Sequence, residues 1–376
     1  MTLAATHPIV ALMAATEQQV VPRCACSMRR REQAHPGGAM ARLSHVLSAI
    51  DTHSGGEPNR ILMSGVPPLP GATMADRKEY MRAHLDHIRT LAVHEPRGHR
   101  DMVGAVLTPP VTAGAHHGVI FIEGRSYPDM CGHGIVCIAT ALLETGAILP
   151  HAPEGSLVFD TPAGTVEAHA RVEGHQVADV TVVNVPSFLY ADGVEVQLPG
   201  GREVKTAVAF GGNFFALARA EDLGVSIRPE NAARLVQLGV ALRKAVNESM
   251  RVRHPTAPHI TTVEMVEIYE APAPGGRGAK NAVIFGEGQL DRSPCGTGTS
   301  AIMAMLHARG DLPLGVEFAN ESILGTRFLG RLTRQWQIGE TCVVEPVFTG
   351  QAYITGLQQL LVDPDDPFRF GFVLGR

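Results

Sequence analysis

Lysine is scarce in this chain: it occurs only at Lys78, Lys205, Lys244 and Lys280, none of them in a context that would hold pyridoxal. Cofactor-free chemistry is the expectation. Charge is thin altogether, since 18% of the 376 residues are Asp, Glu, Lys or Arg and the net charge of -5 is spread without long runs. The basic footprint that a phosphate backbone requires is missing, so nucleic acid is not an expected partner. No run of about 18 apolar residues meets the length demand of a bilayer, so membrane insertion is not expected either. Six cysteines are too few for a disulfide framework in a chain of this size, which points to free thiols in a reducing compartment. Cytoplasm is the default. What is present, 45% hydrophobic residues over 376 positions, is the composition of a folded protein with room for about two domains.

Residues 1 to 40 read differently from the rest. They combine an apolar stretch from Pro8 to Ala15, the pair Cys24 and Cys26, and the basic run Arg29-Arg30-Arg31. A secretory signal places its positive charge before the apolar stretch, and here it follows. A disordered or spurious leader is predicted, with the folded part starting near Met40. Val46 to Ile50 reads as a strand entering a polar, Gly-rich turn over residues 51 to 57.

Self-similarity carries the most information. Cys131-Gly-His-Gly and Cys295-Gly-Thr-Gly each open an Ala-rich apolar stretch that closes on a glycine, Gly146 and Gly310, fifteen positions later. Composition and the closing glycine both describe a helix with a left-handed residue beyond its C-terminus. Ten positions before each cysteine stands the end of the same strand-forming triplet, Val119-Ile120-Phe121 and Val283-Ile284-Phe285. Each half therefore reads strand, loop, cysteine, helix, and two similar α/β domains facing one another across a cleft are predicted. Further strands fit residues 157 to 160, 165 to 172, 178 to 185 and 206 to 210. Helices fit Met74 to Leu91 and Pro229 to Ser249. The Pro- and Gly-rich stretch from Ala271 to Gly278 reads as a surface loop.

A helix start offers unpaired N–H groups and a partial positive charge, which favour thiolate and predict a lowered pKa for Cys131 and Cys295. The same groups, made approachable by Gly132, Gly134, Gly296 and Gly298, form a cradle for a carboxylate. With one thiolate and one thiol on opposite sides of a substrate carbon, one removes a proton while the other delivers one to the opposite face. Inversion is the result. Cys137 and Cys342 read as core residues. Zinc held by Cys131, His133, Cys137 and Cys295 is the competing reading; it lacks the short paired ligand spacing and leaves the glycines without a role. No metal is expected. Neither Gly-x-Gly continues as a dinucleotide or Walker pattern.

At Met130-Cys-Gly-His-Gly134 and Asp291-Arg-Ser-Pro-Cys-Gly-Thr-Gly-Thr-Ser300 the sequence resembles the proline racemase family. The likeness extends over residues 51–58, 95–99, 210–215 and 321–325, and covers roughly residues 45 to 373. It implies two α/β (α+β) domains of the diaminopimelate-epimerase type, each a curved sheet around a helix, with the active site between them and the chains paired as homodimers. The boundaries expected are 41–175 plus 350–373 for the domain with Cys131 and 176–349 for that with Cys295. The family's thiols fall on Cys131 and Cys295. Its carboxylate contacts fall on the Gly132, His133, Gly296 and Thr297 amides, its ring-nitrogen contacts on His133 and Asp291, and a further contact on His259. By default Asp291 is a capping carboxylate, His133 a structural histidine, and Phe121 and Phe285 strand-core residues. The resemblance instead makes the two phenylalanines apolar walls that exclude water. Val103 stands where racemases of the family carry an aromatic, which leaves room for a ring hydroxyl. Proline racemase is the reading taken, with 4-hydroxyproline 2-epimerase as the alternative. Trans-3-hydroxy-L-proline dehydratase, which typically replaces the second cysteine by threonine, and a small-carboxylate binding protein without turnover stand further off.

Overall fold

The computed structural model describes residues 44–148, 154–271 and 277–374. The expected leader and residues 272–276 of the surface loop lie outside the described residues. The first half runs β1 (His45–Ser54), β2 (Glu57–Ser64), α1 (Met74–His84), α2 (Asp86–Val93), β3 (Val103–Thr108), β4 (His117–Glu123), α3 (Gly132–Glu144), β5 (Glu154–Thr161), β6 (Gly164–Glu173) and β7 (Gln176–Val183). The second runs β8 (Ser187–Leu198), β9 (Arg202–Phe210), β10 (Phe214–Arg219), α4 (Ala232–Ser249), β11 (Val263–Glu270), β12 (Gly278–Phe285), β13 (Gln289–Leu290), α5 (Gly296–Ala308), β14 (Phe318–Glu321), β15 (Arg327–Ile338) and β16 (Thr341–Gly350). The last strand, β17 (Ala352–Val362), returns to lie beside β1.

The duplication is visible in the strand pairing. In the first half β2 pairs parallel with β3 across α1 and α2, and β4 pairs parallel with β5 across α3. In the second half β10 pairs parallel with β11 across α4, and β12 with β14 across α5. Each parallel pair needs such a crossover, because a tight turn can join only antiparallel strands. Strands β8, β9, β10, β11, β12, β14, β15 and β16 follow one another, and β16 pairs back onto β8, so the second half closes into a barrel. Helix α5 lies inside it. The row β17, β1, β2, β3, β4, β5, β6, β7 wraps α3 in the same way, and β7 pairs with β16 to join the halves. A helix apolar on every side has to be enclosed. Gly132 to Leu142 of α3 and Gly296 to Met305 of α5 are all buried. Beyond the C-terminal ends, Gly146 and Gly310 are left-handed as the sequence predicts, with φ of +69° and +84°. Strand β7 packs on α3.

Three local readings need correction. The helix expected over Met74 to Leu91 breaks at Leu85 (φ -129°, ψ 20°). The break lets α2 turn Ile88, Leu91 and Val93 onto the sheet, and the Tyr127 hydroxyl donates to Asp86 at its first turn (2.7 Å). The turn expected over residues 51 to 57 shrinks to Gly55 and Gly56, both with positive φ, because β1 continues through Ser54 in register with β2. Cys137 is fully buried as expected, whereas Cys342 is half-buried at the outer end of the β15–β16 hairpin, where no core reaches it. Pro229 opens a single 3-10 turn ahead of α4.

Candidate active site

Cys131 and Cys295 are the N-cap residues of α3 and α5, the two enclosed helices, and both line one cavity between the halves. The helix starts abut. A Cβ added at Gly132 would lie 2.6 Å from Gly296 Cα, and one at Gly296 would lie 2.9 Å from Gly132 Cα and 2.4 Å from Phe348 Cζ. Only glycine allows this approach, which is the physical reason for the first glycine of each motif. The second glycine leaves room for sulfur: a Cβ at Gly134 would sit 3.2 Å from Cys131 Sγ, and one at Gly298 3.3 Å from Cys295 Sγ. The variable residue between the glycines touches the thiol in both copies. His133 Nδ1 is 3.3 Å from Cys131 Sγ, and Thr297 Oγ1 is 3.5 Å from Cys295 Sγ.

The loop before Cys295 is held by its own hydrogen bonds. Ser293 N donates to Asp291 Oδ1 (2.7 Å), Cys295 N to Ser293 Oγ (3.1 Å), and Arg292 N to the buried Glu57 Oε2 (2.8 Å). Pro294 O accepts from Asn281 Nδ2 at 2.7 Å. Together these hold Cys295 at φ +59°, the one non-glycine residue with positive φ among the described residues. Such a conformation costs roughly 1–3 kcal/mol and persists only where the surroundings over-determine it. Gly298 N then donates to Cys295 Sγ at 3.4 Å. Asp291 therefore does not cap α5; it shapes the loop and lines the cavity.

The loop before Cys131 is pinned from the other half. Asn213, in the turn between β9 and β10, accepts from Asp129 N (3.0 Å) and donates to Met130 O (2.7 Å). The reading of residues 210–215 as a family motif does not reveal this clamp. A single asparagine between glycine and phenylalanine signals a turn, and its partners lie more than 80 residues away.

Val103, Pro128, Met130, Met265, Val283 and Phe285 supply the apolar wall; His133, Asp291 and Thr297 supply the polar groups. Glu123, which pairs with Val103 across β3 and β4, also lines the cavity, and no motif in the sequence marks it. Phe121 lies beneath the site instead of at its surface, because it packs under Gly134, with its Cε1 2.8 Å from where a Cβ would stand. His259 is not brought to the cavity. Its Nε2 lies 3.0 Å from Pro162 O and 3.8 Å from Asp129 Oδ1, on the far side of the Cys131 loop. The cavity is small and is lined by residues of both halves.

The electrostatics reverse one expectation. Burial pushes both thiols well above the ordinary cysteine range, and the Asp291 charge adds to the push; the Gly134 and Gly298 N–H groups and the Thr297 hydroxyl only moderate it. Desolvation, which disfavours the charged thiolate, outweighs the partial charge of the helix start at both sites. Burial likewise holds His133 below its usual value, neutral at pH 7. Glu57, fully buried, is pushed up by burial and by Asp291. Among the described residues no group of three or more His, Cys, Asp and Glu is arranged to hold a metal, and Cys137 of the alternative zinc set lies in the core.

The proline racemase family model matches residues 49–373. The chain belongs to the proline racemase family. It is 45% identical to a proline racemase of Clostridioides difficile, over 89% of this chain and 99% of that one. It is 43% identical to a 4-hydroxyproline 2-epimerase of Streptosporangium roseum, over 89% and 100%. A crystal structure of a hydroxyproline epimerase from Agrobacterium vitis with bound trans-4-hydroxy-L-proline superposes with a TM-score of 0.84 at 33% identity, covering 89% of this chain and 97% of that one. The chain is an amino-acid racemase or epimerase, an isomerase. Among the described residues no helix is long and apolar enough to cross a membrane.

Proposed function

We propose that this chain inverts the α-carbon of proline by proton transfer between Cys131 and Cys295, without a cofactor. The observation that carries the reading is the shared cavity with a thiol at each of two abutting helix starts. The substrate carboxylate would rest on the N–H groups of the helix starts, where negative charge accumulates as the α-proton leaves; each such donor is worth roughly 3 kcal/mol in the transition state. The ring ammonium would lie at Asp291. The Asp291 charge is one of the causes that hold both thiols protonated, and an ammonium beside it cancels that charge. Substrate binding then lowers the cost of forming one thiolate, which removes the proton while the opposed thiol delivers its own.

A second reading, 4-hydroxyproline as substrate, is favoured by one feature. Glu123 beside Val103 is buried, and its Oε1 has no partner, an acceptor suited to a ring hydroxyl. Chiral chromatography after incubation with L-proline and with trans-4-hydroxy-L-proline separates the two. Higher kcat/KM for proline supports the first reading; epimerisation of hydroxyproline with proline left unchanged overturns it. Cys131→Ser and Cys295→Ser should each lower turnover by roughly 10²- to 10⁴-fold, and full turnover in either variant removes the two-thiol chemistry.

A further inference from the structure

The two thiols are alike in sequence but not in surroundings. Behind Cys131, the space next to Gly134 is occupied by the carbon edge of Phe121. Behind Cys295, the matching space next to Gly298 is occupied by a carboxylate: a Cβ there would lie 2.7 Å from Glu267 Oε2 and 3.3 Å from Cys295 Sγ, so those two atoms are at most 6.0 Å apart. Glu267, on β11, is fully buried and outside the cavity wall. Its Oε1 accepts from Asn281 Nδ2 (2.8 Å) and Asn320 Nδ2 (3.3 Å), while Oε2 has no partner.

Resting on the two-thiol reading above, we propose that Glu267 is a positioning residue that sets the proton affinity of Cys295 alone and so makes the two thiols inequivalent. Neutral Glu267 leaves Cys295 free to ionise, and ionised Glu267 opposes a thiolate less than about 6 Å away across a dry interior. The carboxyl changes state within the working range, since burial pushes it up to about 7. The groups that face it are few. Asn281 comes from β12 and Asn320 from β14; Asp291 comes from the loop before α5, and its charge raises both Glu267 and Cys295. Helix α5 brings Cys295 and the neutral Thr299, and β10 places Leu217 alongside. Lys280 and Glu321, next in sequence to the asparagines, face each other at the exterior with 4.0 Å between Nζ and Oε1. Among the described residues no cation faces the carboxyl to hold it charged.

The test is alkylation of the full-length protein with iodoacetamide between pH 6 and 10, read by mass spectrometry on the peptides that carry Cys131 and Cys295. In the parent, the Cys295 rate should show a second inflection near pH 7 that comes from Glu267. In Glu267→Gln, that inflection should vanish and Cys295 should react about tenfold faster above pH 8, with Cys131 unchanged. Glu267→Asp should retain the inflection. Identical Cys295 profiles in parent and Glu267→Gln overturn the proposal, and so do equal changes at both thiols, which would report general loosening. If Glu267→Gln fails to fold, the parent decides alone, because a Cys295 profile without its own inflection overturns the proposal. Loss of the two-thiol reading would appear separately, as full turnover in a Cys→Ser variant, whatever the alkylation profile shows.

Discussion

Gly296→Ala tests whether the approach of the helix starts, more than helix formation itself, makes the site. The added methyl would stand 2.4 Å from Phe348 Cζ, 2.7 Å from its Cε2 and 2.9 Å from Gly132 Cα. Phe348 is fully buried and stacked on Phe328 with 5.6 Å between ring centroids, so it cannot swing aside. Relief requires about 1 Å of movement between α3 and α5. Overpacking of this kind costs about 1–3 kcal/mol, so the loss of stability should be of that order. Turnover should suffer far more, because a displacement of about 1 Å between acid, base and carboxylate site costs about a hundredfold in rate. The control is Gly310→Ala at the other end of α5. Its φ of +84° makes alanine strained by about 1–2 kcal/mol, yet nothing stands within 4 Å of the new methyl. Urea denaturation and racemisation rates measured on both variants should give similar stabilities and very different rates. Equal turnover in Gly296→Ala and the parent would refute the reasoning.

Further outcomes follow from other contacts. Asn213→Ala leaves Asp129 N and Met130 O buried without partners, and should cost about 1–3 kcal/mol in urea denaturation while lowering kcat more than it raises KM. Glu267 binds its proton more tightly folded than unfolded, so between pH 4.5 and about 7 the folded state carries the extra proton and the contribution of this group to stability falls as pH rises. The loss attributable to this group is about 3 kcal/mol, and across that window the stability of Glu267→Gln relative to the parent should rise with pH by about that amount. Val103→Phe fills the space beside Glu123, and should depress kcat/KM for trans-4-hydroxy-L-proline at least tenfold more than for proline. Comparable losses for both substrates would remove Val103 as the residue that accommodates the hydroxyl.

The duplicated Cys-Gly-x-Gly segment makes the architecture legible in the sequence itself, because a repeat that carries its own strand, helix and terminating glycine specifies where each element must lie. With the residues around it, it also points to both thiols, His133, Asp291 and Thr297. The unread features depend on distance in space. Asn213 acts on a loop in the other half, and Glu267 sits in Val-Glu-Met-Val-Glu-Ile, where alternation makes a glutamate look solvent-facing while a closed barrel buries it. The thiol pKa values go the opposite way from the helix-start argument because desolvation, invisible in a sequence, outweighs a partial charge. His259 shows the same limit, since a likeness in sequence cannot tell whether a loop delivers its side chain to the cavity or to the carbonyl of Pro162.

The most direct test of two opposed thiols is where deuterium first appears when L-proline is turned over in deuterium oxide, with hydroxyproline as the parallel substrate. Removal by one group and delivery by another predicts that the early product of inverted configuration carries deuterium while recovered substrate carries none. Deuterium appearing at equal early rates in substrate and product would mean that a single group does both jobs, and would contradict the account.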